Sequence, residues 1–578
     1  MYKVISIWSL MLIGVFANAQ NHILKLYTDG TITQLESFDS LSAQAILQDK
    51  ITEYRTVGYF AASIDSNSSK NDTTTAFLNK GTKYASIQIR KHNLAEGYLG
   101  ETNTNLSLEA FDKLQKSILG SYEQSGYPFA KIVLNKPYIK DDTLSSELKF
   151  YPYIKFVYDT LVYIGDSKIS KAYLSKYLGV EKGKPYNEID ATEIDKKLRN
   201  LPLVKLKGSS QIVFYQGKVQ IILNVDDIVT DRVDGVVGLA PNSSNSEDNS
   251  LLITGEVNIE LNNLFKSGKQ LEMHWRNYLK NSQKLDLGFT YPYLFNTKLG
   301  INGEFNLNKY DSLFVNLKSK ISFRYQQKGN NYYQFYYQNI NSNLITADTN
   351  TVRVQKRIPT NNPYKIDNYG LALFQRDYDY LPNPRKGYSV LADFAVGQKT
   401  ILRNTEISNV KFLNTENNTL ISLYDTMDAK SLRLDFSLSA SLYIPIKKSS
   451  TIHQKMNFQA LFADQIFFNE LYNFGGFSTL RGFDENEIFA SKALSYTLAY
   501  RYLIGENSNV GLFANTALIE NQIESSSLIY DIPYGFGATA NIQVGSGILN
   551  LAYALGSQQG NPIQLNTAKF HFGVVNYF

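Results

Sequence analysis

Leu494-Ser495-Tyr496-Thr497-Leu498-Ala499-Tyr500-Arg501-Tyr502 alternates without a break, with Leu and Tyr at even positions and Ser, Thr, Ala and Arg at odd ones. A period of two is the side-chain period of a β-strand, so this stretch predicts a strand with one apolar, aromatic face and one polar face. The same signature runs outward from it. Ile253, Val257, Ile259 and Leu261 alternate with Thr254, Glu256, Asn258 and Glu260, and Leu271, Met273 and Trp275 with Glu272, His274 and Arg276. Val315, Leu317, Ile321 and Phe323 alternate with Asn316, Lys318, Lys320 and Arg324. From about Asp231 onward this pattern replaces any helical spacing.

Alternation fits a soluble sandwich, whose polar face is simply solvated, or a membrane barrel. The candidate strands are about ten residues long, the length a tilted strand needs to cross a bilayer. Aromatics crowd strand ends, as in Asn331-Tyr332-Tyr333-Gln334-Phe335-Tyr336-Tyr337, where interfacial rings sit. Lipid offers backbone groups no hydrogen-bond partner, so a β-structure that spans it closes into a barrel. Residues 229–578 at about 20 per strand and turn predict a transmembrane antiparallel barrel of about 16 strands.

Composition agrees. Charged residues are 19%, aromatics 13% (Tyr 41, Phe 33, Trp 2) and mean hydropathy is −0.26. That is too polar for a bundle of membrane helices, and beyond the N-terminus no apolar run approaches the roughly 18 residues a spanning helix needs. The net charge of +5 is small and evenly spread, which gives no support to nucleic acid as a partner. Cysteine is absent and His numbers five, excluding disulfides, thiolate metal sites and a Cys nucleophile. There is no Gly-x-Ser-x-Gly elbow and no His pair at metal spacing. Gly235-Val236-Val237-Gly238 and Gly475-Gly476 open no phosphate-binding helix. The reading is of a non-enzyme with no cofactor and no metal.

The N-terminus predicts export. Met1-Tyr2-Lys3 is a short positive region, Val4 to Phe16 an apolar core and Ala17-Asn18-Ala19 a small-x-small cleavage site, giving a signal peptide over 1–19. Residues 21–228 then fall into three units of about 70 residues, at 21–90, 91–152 and 153–228. A helix from Ser40 to Arg55 runs into Gly58-Tyr59-Phe60-Ala61, and one marked by Leu108, Phe111, Leu114 and Ile118 runs into Gly126-Tyr127-Pro128-Phe129-Ala130. In the third unit a helix from Ile189 to Arg199 precedes strands at Gln211–Tyr215 and Val219–Val225. Each unit predicts a small α+β domain. Its exposed sheet edge can accept an extended peptide by strand addition.

Phe474-Gly475-Gly476-Phe477-Ser478-Thr479-Leu480-Arg481-Gly482-Phe483 resembles the signature loop of the bacterial surface antigen superfamily of outer-membrane barrels, the BamA/TamA-like assembly factors. Tyr291-Pro292-Tyr293-Leu294-Phe295 is similar to that family's early turn, and Pro384-Arg385-Lys386-Gly387-Tyr388 to its Pro-x-x-Gly turn. Lys569 to Phe578 is similar to its C-terminal strand, with Phe570, Phe572, Val574 and Phe578 on one face. The three N-terminal units resemble POTRA domains.

The resemblance implies that the loop folds back into the barrel lumen and that Arg481 pairs there with acidic residues of the wall. The family's Phe-x-Asp stands here as Phe513-Ala514-Asn515, and a family Glu aligns with Ala499, leaving the Asn515 amide oxygen as a neutral acceptor and Asp484, Glu485 or another lumen carboxylate as candidate partners for Arg481. It also implies a seam between the first and last barrel strands that opens sideways.

The function so implied is insertion or translocation of other envelope proteins from the outer membrane, with the N-terminal domains in the periplasm. Its partners would be unfolded outer-membrane or secreted proteins, the lipid bilayer, and accessory periplasmic or lipoprotein subunits. The alternatives are a dedicated two-partner secretion pore of the FhaC type, which usually has two POTRA domains behind a plug helix, and a passive porin.

Overall fold

The structure is a computed structural model of the 578-residue chain. It describes residues 22–37, 40–59, 61–70, 73–95, 98–99, 103–140, 143–228, 230–241, 251–279, 282–414, 418–477, 479–484, 487–523, 529–545, 547–565 and 568–576. The expected signal peptide at 1–19 lies outside them. The chain divides into two compact units: 1–157 with 185–189 and 216–218, and the remainder.

The first unit holds two domains of one design. In the first, strands β1 (His22–Thr28) and β2 (Thr31–Ser37) form a hairpin, helix α1 (Ser40–Thr56) follows, and β3 (Ser63–Lys70) and β4 (Thr73–Asn79) form a second hairpin. The sheet order is β2-β1-β4-β3, with β1 and β4 parallel. Ala43, Leu47 and Ile51 of α1 recur at helical spacing and bury against Leu24, Leu26, Ala76 and Leu78. A Leu as fully enclosed as Leu47 contributes about 1.5–3 kcal/mol by leaving water. The helix stops at Gly58, whose φ of 110° no side chain tolerates well and whose Cβ would stand 2.5 Å from the Tyr84 carbonyl.

The second domain repeats the plan with β5 (Ser86–His92), β6 (Thr104–Ser107), α2 (Leu108–Glu123), β7 (Lys131–Lys140) and β8 (Thr143–Tyr151), in the order β6-β5-β8-β7. Ser107 caps α2, its hydroxyl accepting the Ala110 N–H at 3.2 Å. The helix-to-Gly-aromatic passages are where the sequence places them. The leading hairpins β1–β2 and β5–β6 are not in that reading, although Leu24 and Leu26 of β1 and Ile87 and Ile89 of β5 alternate as strand residues do and are buried.

In the second unit, β9 (Val157–Ile164), α3 (Lys171–Leu178), α4 (Glu188–Thr192), α5 (Ile194–Arg199), β10 (Val204–Leu206), β11 (Gln211–Tyr215) and β12 (Lys218–Asp227) make a third domain, with β12 central. The helix expected from Ile189 to Arg199 breaks at Glu193 into α4 and α5.

The barrel sheet follows. Its first nine strands are β13 (Arg232–Pro241), β14 (Leu251–Leu264), β15 (Lys269–Leu279), β16 (Ser282–Tyr291), β17 (Leu299–Tyr310), β18 (Phe314–Gln326), β19 (Tyr332–Leu344), β20 (Tyr364–Tyr378) and β21 (Gly387–Ile401). Between β19 and β20 lies α6 (Thr349–Gln355). After β21 come α7 (Thr405–Ser408) and a small hairpin, β22 (Phe412–Asn414) and β23 (Thr419–Ile421). The run resumes with β24 (Lys430–Lys447) and β25 (Ser450–Ala463). A loop bearing β26 (Tyr472–Phe474) and β27 (Ile488–Ala490) leads to β28 (Lys492–Gly505) and β29 (Ser508–Asn521). Short β30 (Ile529–Asp531) precedes β31 (Tyr534–Val544), β32 (Gly547–Ser557) and β33 (Lys569–Asn576). Every neighbour pair in the main sheet is antiparallel. With β30 an extension of β31 along β29, sixteen long strands span it, the number the length predicts.

The alternation seen in sequence becomes two faces. Phe323, Phe335, Leu371 and Leu512 are 54, 48, 63 and 66% exposed on the outer face, together with Tyr496, Leu498 and Tyr500. Ser495 and Ala499 are buried inside. An apolar, aromatic exterior on an antiparallel meander is a surface made for lipid, and the fold is a transmembrane β-barrel behind three small α+β, POTRA-like domains.

Curvature follows from chain length. Asn469 touches β18 through Asn316, whose amide donates to its carbonyl at 3.0 Å, and Phe477 lies 6.2 Å, ring to ring, from His571 of β33. Those strands are ten neighbour steps apart, roughly 48 Å in a flat sheet. The eight residue steps from 469 to 477 reach at most about 28 Å fully extended, and the turn at Phe468–Glu470 and the glycine turn at Gly475-Gly476 shorten them further. The sheet therefore curls around this loop.

Turns next to the third domain are short, such as Lys448-Ser449 and Glu506-Asn507, while the opposite end carries the long segments 345–363, 402–429 and 464–491. Those segments fold: Val352, Ile407 and Tyr424 pack with Tyr364, Ile366, Ile401 and Phe467 over that end of the barrel.

The third domain is keyed to the short turns. The Ser170 N–H donates to the Lys266 carbonyl at 2.7 Å, the Gly329 N–H to the Tyr177 carbonyl at 2.8 Å, and the Asn200 amide to the Tyr378 carbonyl at 2.9 Å. The Tyr173 ring meets Tyr293 edge-on at 5.6 Å. Gly268 makes the fit possible, since a Cβ there would lie 2.0 Å from the Tyr173 ring.

Candidate functional site

The loop 464–491 enters the lumen in two parts, a root at Gln465–Tyr472 and a tip at Gly475–Phe483. The tip is shaped by glycines. Gly475, Gly476 and Gly482 have φ of 118°, 87° and 101°, in the region that favours residues without a Cβ. Thr479 ties the turn, its hydroxyl accepting the Gly475 N–H at 2.8 Å and donating to the Gly475 carbonyl at 2.7 Å. Leu480 and Phe483 are buried with Phe474, Ile488, Ala493 and Ile519, so the tip has an apolar core of its own.

Glycines also let it press on the wall. A Cβ on Gly535 of β31 would stand 2.4 Å from the Arg481 carbonyl, and one on Gly556 of β32 would stand 2.6 Å from the Gly482 carbonyl. Backbone thus meets backbone across loop and wall.

Arg481 lies inside the barrel, and its partners differ from those expected. Its guanidinium is centred 4.7 Å from the Phe513 ring and 5.0 Å from the Phe477 ring, and its Nε donates to the Phe477 carbonyl at 3.3 Å. Asn515 binds the backbone of Arg481, its amide donating to the carbonyl at 3.3 Å. Asp484 turns away to Lys569 of β33 at 2.7 Å, and Glu485 lies outside the described residues. Among the described residues no carboxylate stands within ion-pair distance of Arg481. Register puts Ala499, which the resemblance aligns with a family Glu, opposite Phe513, and what the wall offers the guanidinium there is the Phe513 ring.

The charge-paired part of the loop is its root, which sequence reasoning missed. Glu470 and Lys399 of β21 are fully buried and paired, and Arg433 of β24 grips the other Glu470 oxygen. Arg433 also binds Asp435 through two nitrogens at 2.9 Å each, and Asp435 accepts from Asn368 and Tyr472 at 3.0 Å. Two cations and two anions close the network, the condition under which buried charge is tolerated. Asn469 adds contacts to Ser342 at 2.7 Å and to the Asn362 carbonyl at 3.0 Å. The sequence carries only a trace of it: Leu432-Arg433-Leu434-Asp435-Phe436 alternates, and Glu470 lies between the aromatics Phe467-Phe468 and Tyr472.

Beside the root is a polar lumen cavity of about 380 Å³, bordered by Lys318, Lys320, Asp393, Arg433, Asp435 and Glu470.

The remaining sequence motifs fall at the barrel's margins. Pro384 and Gly387 form the β20–β21 turn, where the Pro384 carbonyl accepts from Arg501 at 3.0 Å and a Cβ on Gly387 would meet the Asp377 carbonyl at 2.0 Å. On β33, Phe570 points outward beside Tyr553, its register partner. Phe572 and Val574 follow it in register, with side chains outside the described set, as is all of Phe578. Among the described residues β33 pairs with β32 alone, and β13 with β14 alone.

The fold has counterparts among solved structures. CdiB from Escherichia coli aligns over 93% of this chain and 97% of its own at 12% identity, with a TM-score of 0.51. CdiB from Acinetobacter baumannii aligns over 86% and 90% at 12% identity, with a TM-score of 0.50. BamA from Haemophilus ducreyi lacking POTRA domains 1–3 covers 85% and 99% at 14% identity, with a TM-score of 0.42. At these identities the CdiB likeness is one of fold. No family model matches the sequence, and no curated protein matches it.

Proposed function

We propose that this protein is an outer-membrane assembly or translocation factor of the BamA/TamA-like kind, without catalytic chemistry of its own. In this reading it receives unfolded outer-membrane or secreted proteins on its periplasmic domains and passes them into or across the membrane at the barrel. The observation that carries it is the lumen loop, whose Arg481-Gly482-Phe483 tip is laid against β29 to β33 at the end of the strand run. A loop so placed couples the lumen to the strands where an incoming strand would pair.

The free edges of β3 and β7 are the places where an extended client would add a strand, since an edge carries a row of backbone groups without a ladder partner. A passive porin would leave the three N-terminal domains without a purpose. A dedicated secretion pore remains the second reading, favoured by the fold likeness to CdiB.

Reconstitution tests the proposal. Liposomes containing the full chain are expected to speed folding of a urea-denatured outer-membrane barrel several-fold over empty liposomes, read by heat-modifiable migration. Equal rates would contradict it.

A further inference from the structure

The resemblance places the loop's ionic lock on Arg481, yet the charges of the lumen pair elsewhere. We propose that Glu470 is the residue that anchors the loop, held by the wall cations Lys399 and Arg433. This polarity is opposite to that of an arginine inserted among wall carboxylates. The assignment stands on lumen geometry alone and holds whatever clients the barrel handles.

Three observations meet at this residue. Glu470 and Lys399 are both fully buried and Arg433 nearly so, so none of the three charges exchanges its partner for water while the loop is in place. The Glu470 carboxylate also accepts the Phe467 N–H at 3.0 Å, which ties the anchor to the fold of the root itself. Lys399 reads the same root at two further points, donating to the Gln465 carbonyl at 2.7 Å and lying 4.1 Å from the Phe467 ring centroid. Withdrawing the loop would leave Lys399 without its carboxylate and Arg433 with Asp435 alone.

The tip is held differently. The Arg481 side chain meets a carbonyl of its own loop and two rings, contacts that orient it without pairing its charge. Root and tip are therefore held by different forces, the root as the charge-paired pivot and the tip laid on the terminal strands by backbone contact, so that loss of the pivot is expected to loosen the tip with it.

Trypsin reports the loop's position, because Arg481 is itself a cleavage site, half-buried with its backbone packed against β31 while the loop is seated. Purified full-length protein in detergent is digested briefly, and the fragment beginning at Gly482 is followed by mass spectrometry. Glu470→Gln, still heat-modifiable and hence folded, is expected to release it at least ten-fold faster than the parent, with Glu470→Asp slower than Glu470→Gln because the charge is kept. Where Glu470→Gln fails to fold, the double variant Lys399→Met/Glu470→Met, which leaves Arg433 with Asp435, gives the same readout. Protection equal to the parent in the folded variant, or cleavage of Glu470→Asp as fast as Glu470→Gln, overturns the assignment.

Discussion

Arg481 and Glu470 lie eleven positions apart on one loop, and the physics of burial separates their roles. Removing one partner of a fully buried ion pair strands the other, at a cost of about 3–5 kcal/mol. Losing a cation-over-ring contact costs about 0.5–2 kcal/mol. Glu470→Gln is therefore expected to lower the temperature of heat-modifiable migration more than Arg481→Ala does, and the reverse order would move the anchor back to the arginine. The Arg-Gly-Phe tripeptide was legible because its residue types are particular to one loop. Glu470 was not, since an isolated acid in an aromatic run acquires meaning only when Lys399 and Arg433, 71 and 37 positions away, are brought to it by the curl of the sheet.

At the level of elements, the period-two pattern fixed strand identity and face, as in β28, where Tyr496, Leu498 and Tyr500 face out and Ser495 and Ala499 face in. What it could not supply was register, because alternation is unchanged when a strand slides by two residues. Register is what seats Gly535 and Gly556 beneath the loop. Gly482→Ala is accordingly expected to destabilise the barrel more than Gly560→Ala. Both have positive φ, at about 1–3 kcal/mol of strain each, but a Cβ on Gly482 meets Gly556 Cα at 2.9 Å whereas one on Gly560 meets nothing within 4 Å. Equal losses in a thermal melt would show that the loop does not press on β32.

The joint between the third domain and the β14–β15 turn carries a pH prediction. Burial alone would raise the Asp227 carboxyl. The Ser167 hydroxyl at 2.6 Å, the Lys168 N–H at 3.0 Å and Lys266 at 3.5 Å outweigh it and hold the group below its ordinary value of 3.8. A depressed carboxyl contributes stability that is present above its unfolded pKa and lost as pH falls through the folded one. The joint is expected to be unchanged from pH 7 to about 5 and to loosen only below about 4. Hydrogen exchange at Ser170, whose amide bonds Lys266, checks this. Loosening that sets in between pH 6 and 7 would exclude Asp227 as its cause.

For the whole molecule, a composition rich in aromatics yet mildly polar on average resolves into a lipid-facing exterior around a charged lumen. Length and alternation together predicted sixteen strands. The keyed contact of α3, α4 and α5 with the barrel turns was beyond reach of sequence, because Tyr173, Gly268 and Tyr293 belong to no shared pattern. That contact ties the third domain to the first half of the barrel, and the loop tip meets the second half. The function proposed for this assembly is the delivery of other proteins to the membrane. Depleting the protein in its own cells and quantifying the outer-membrane proteome tests it most directly. A broad fall in β-barrel proteins is the result expected, and an unchanged proteome accompanied only by altered solute uptake would contradict it.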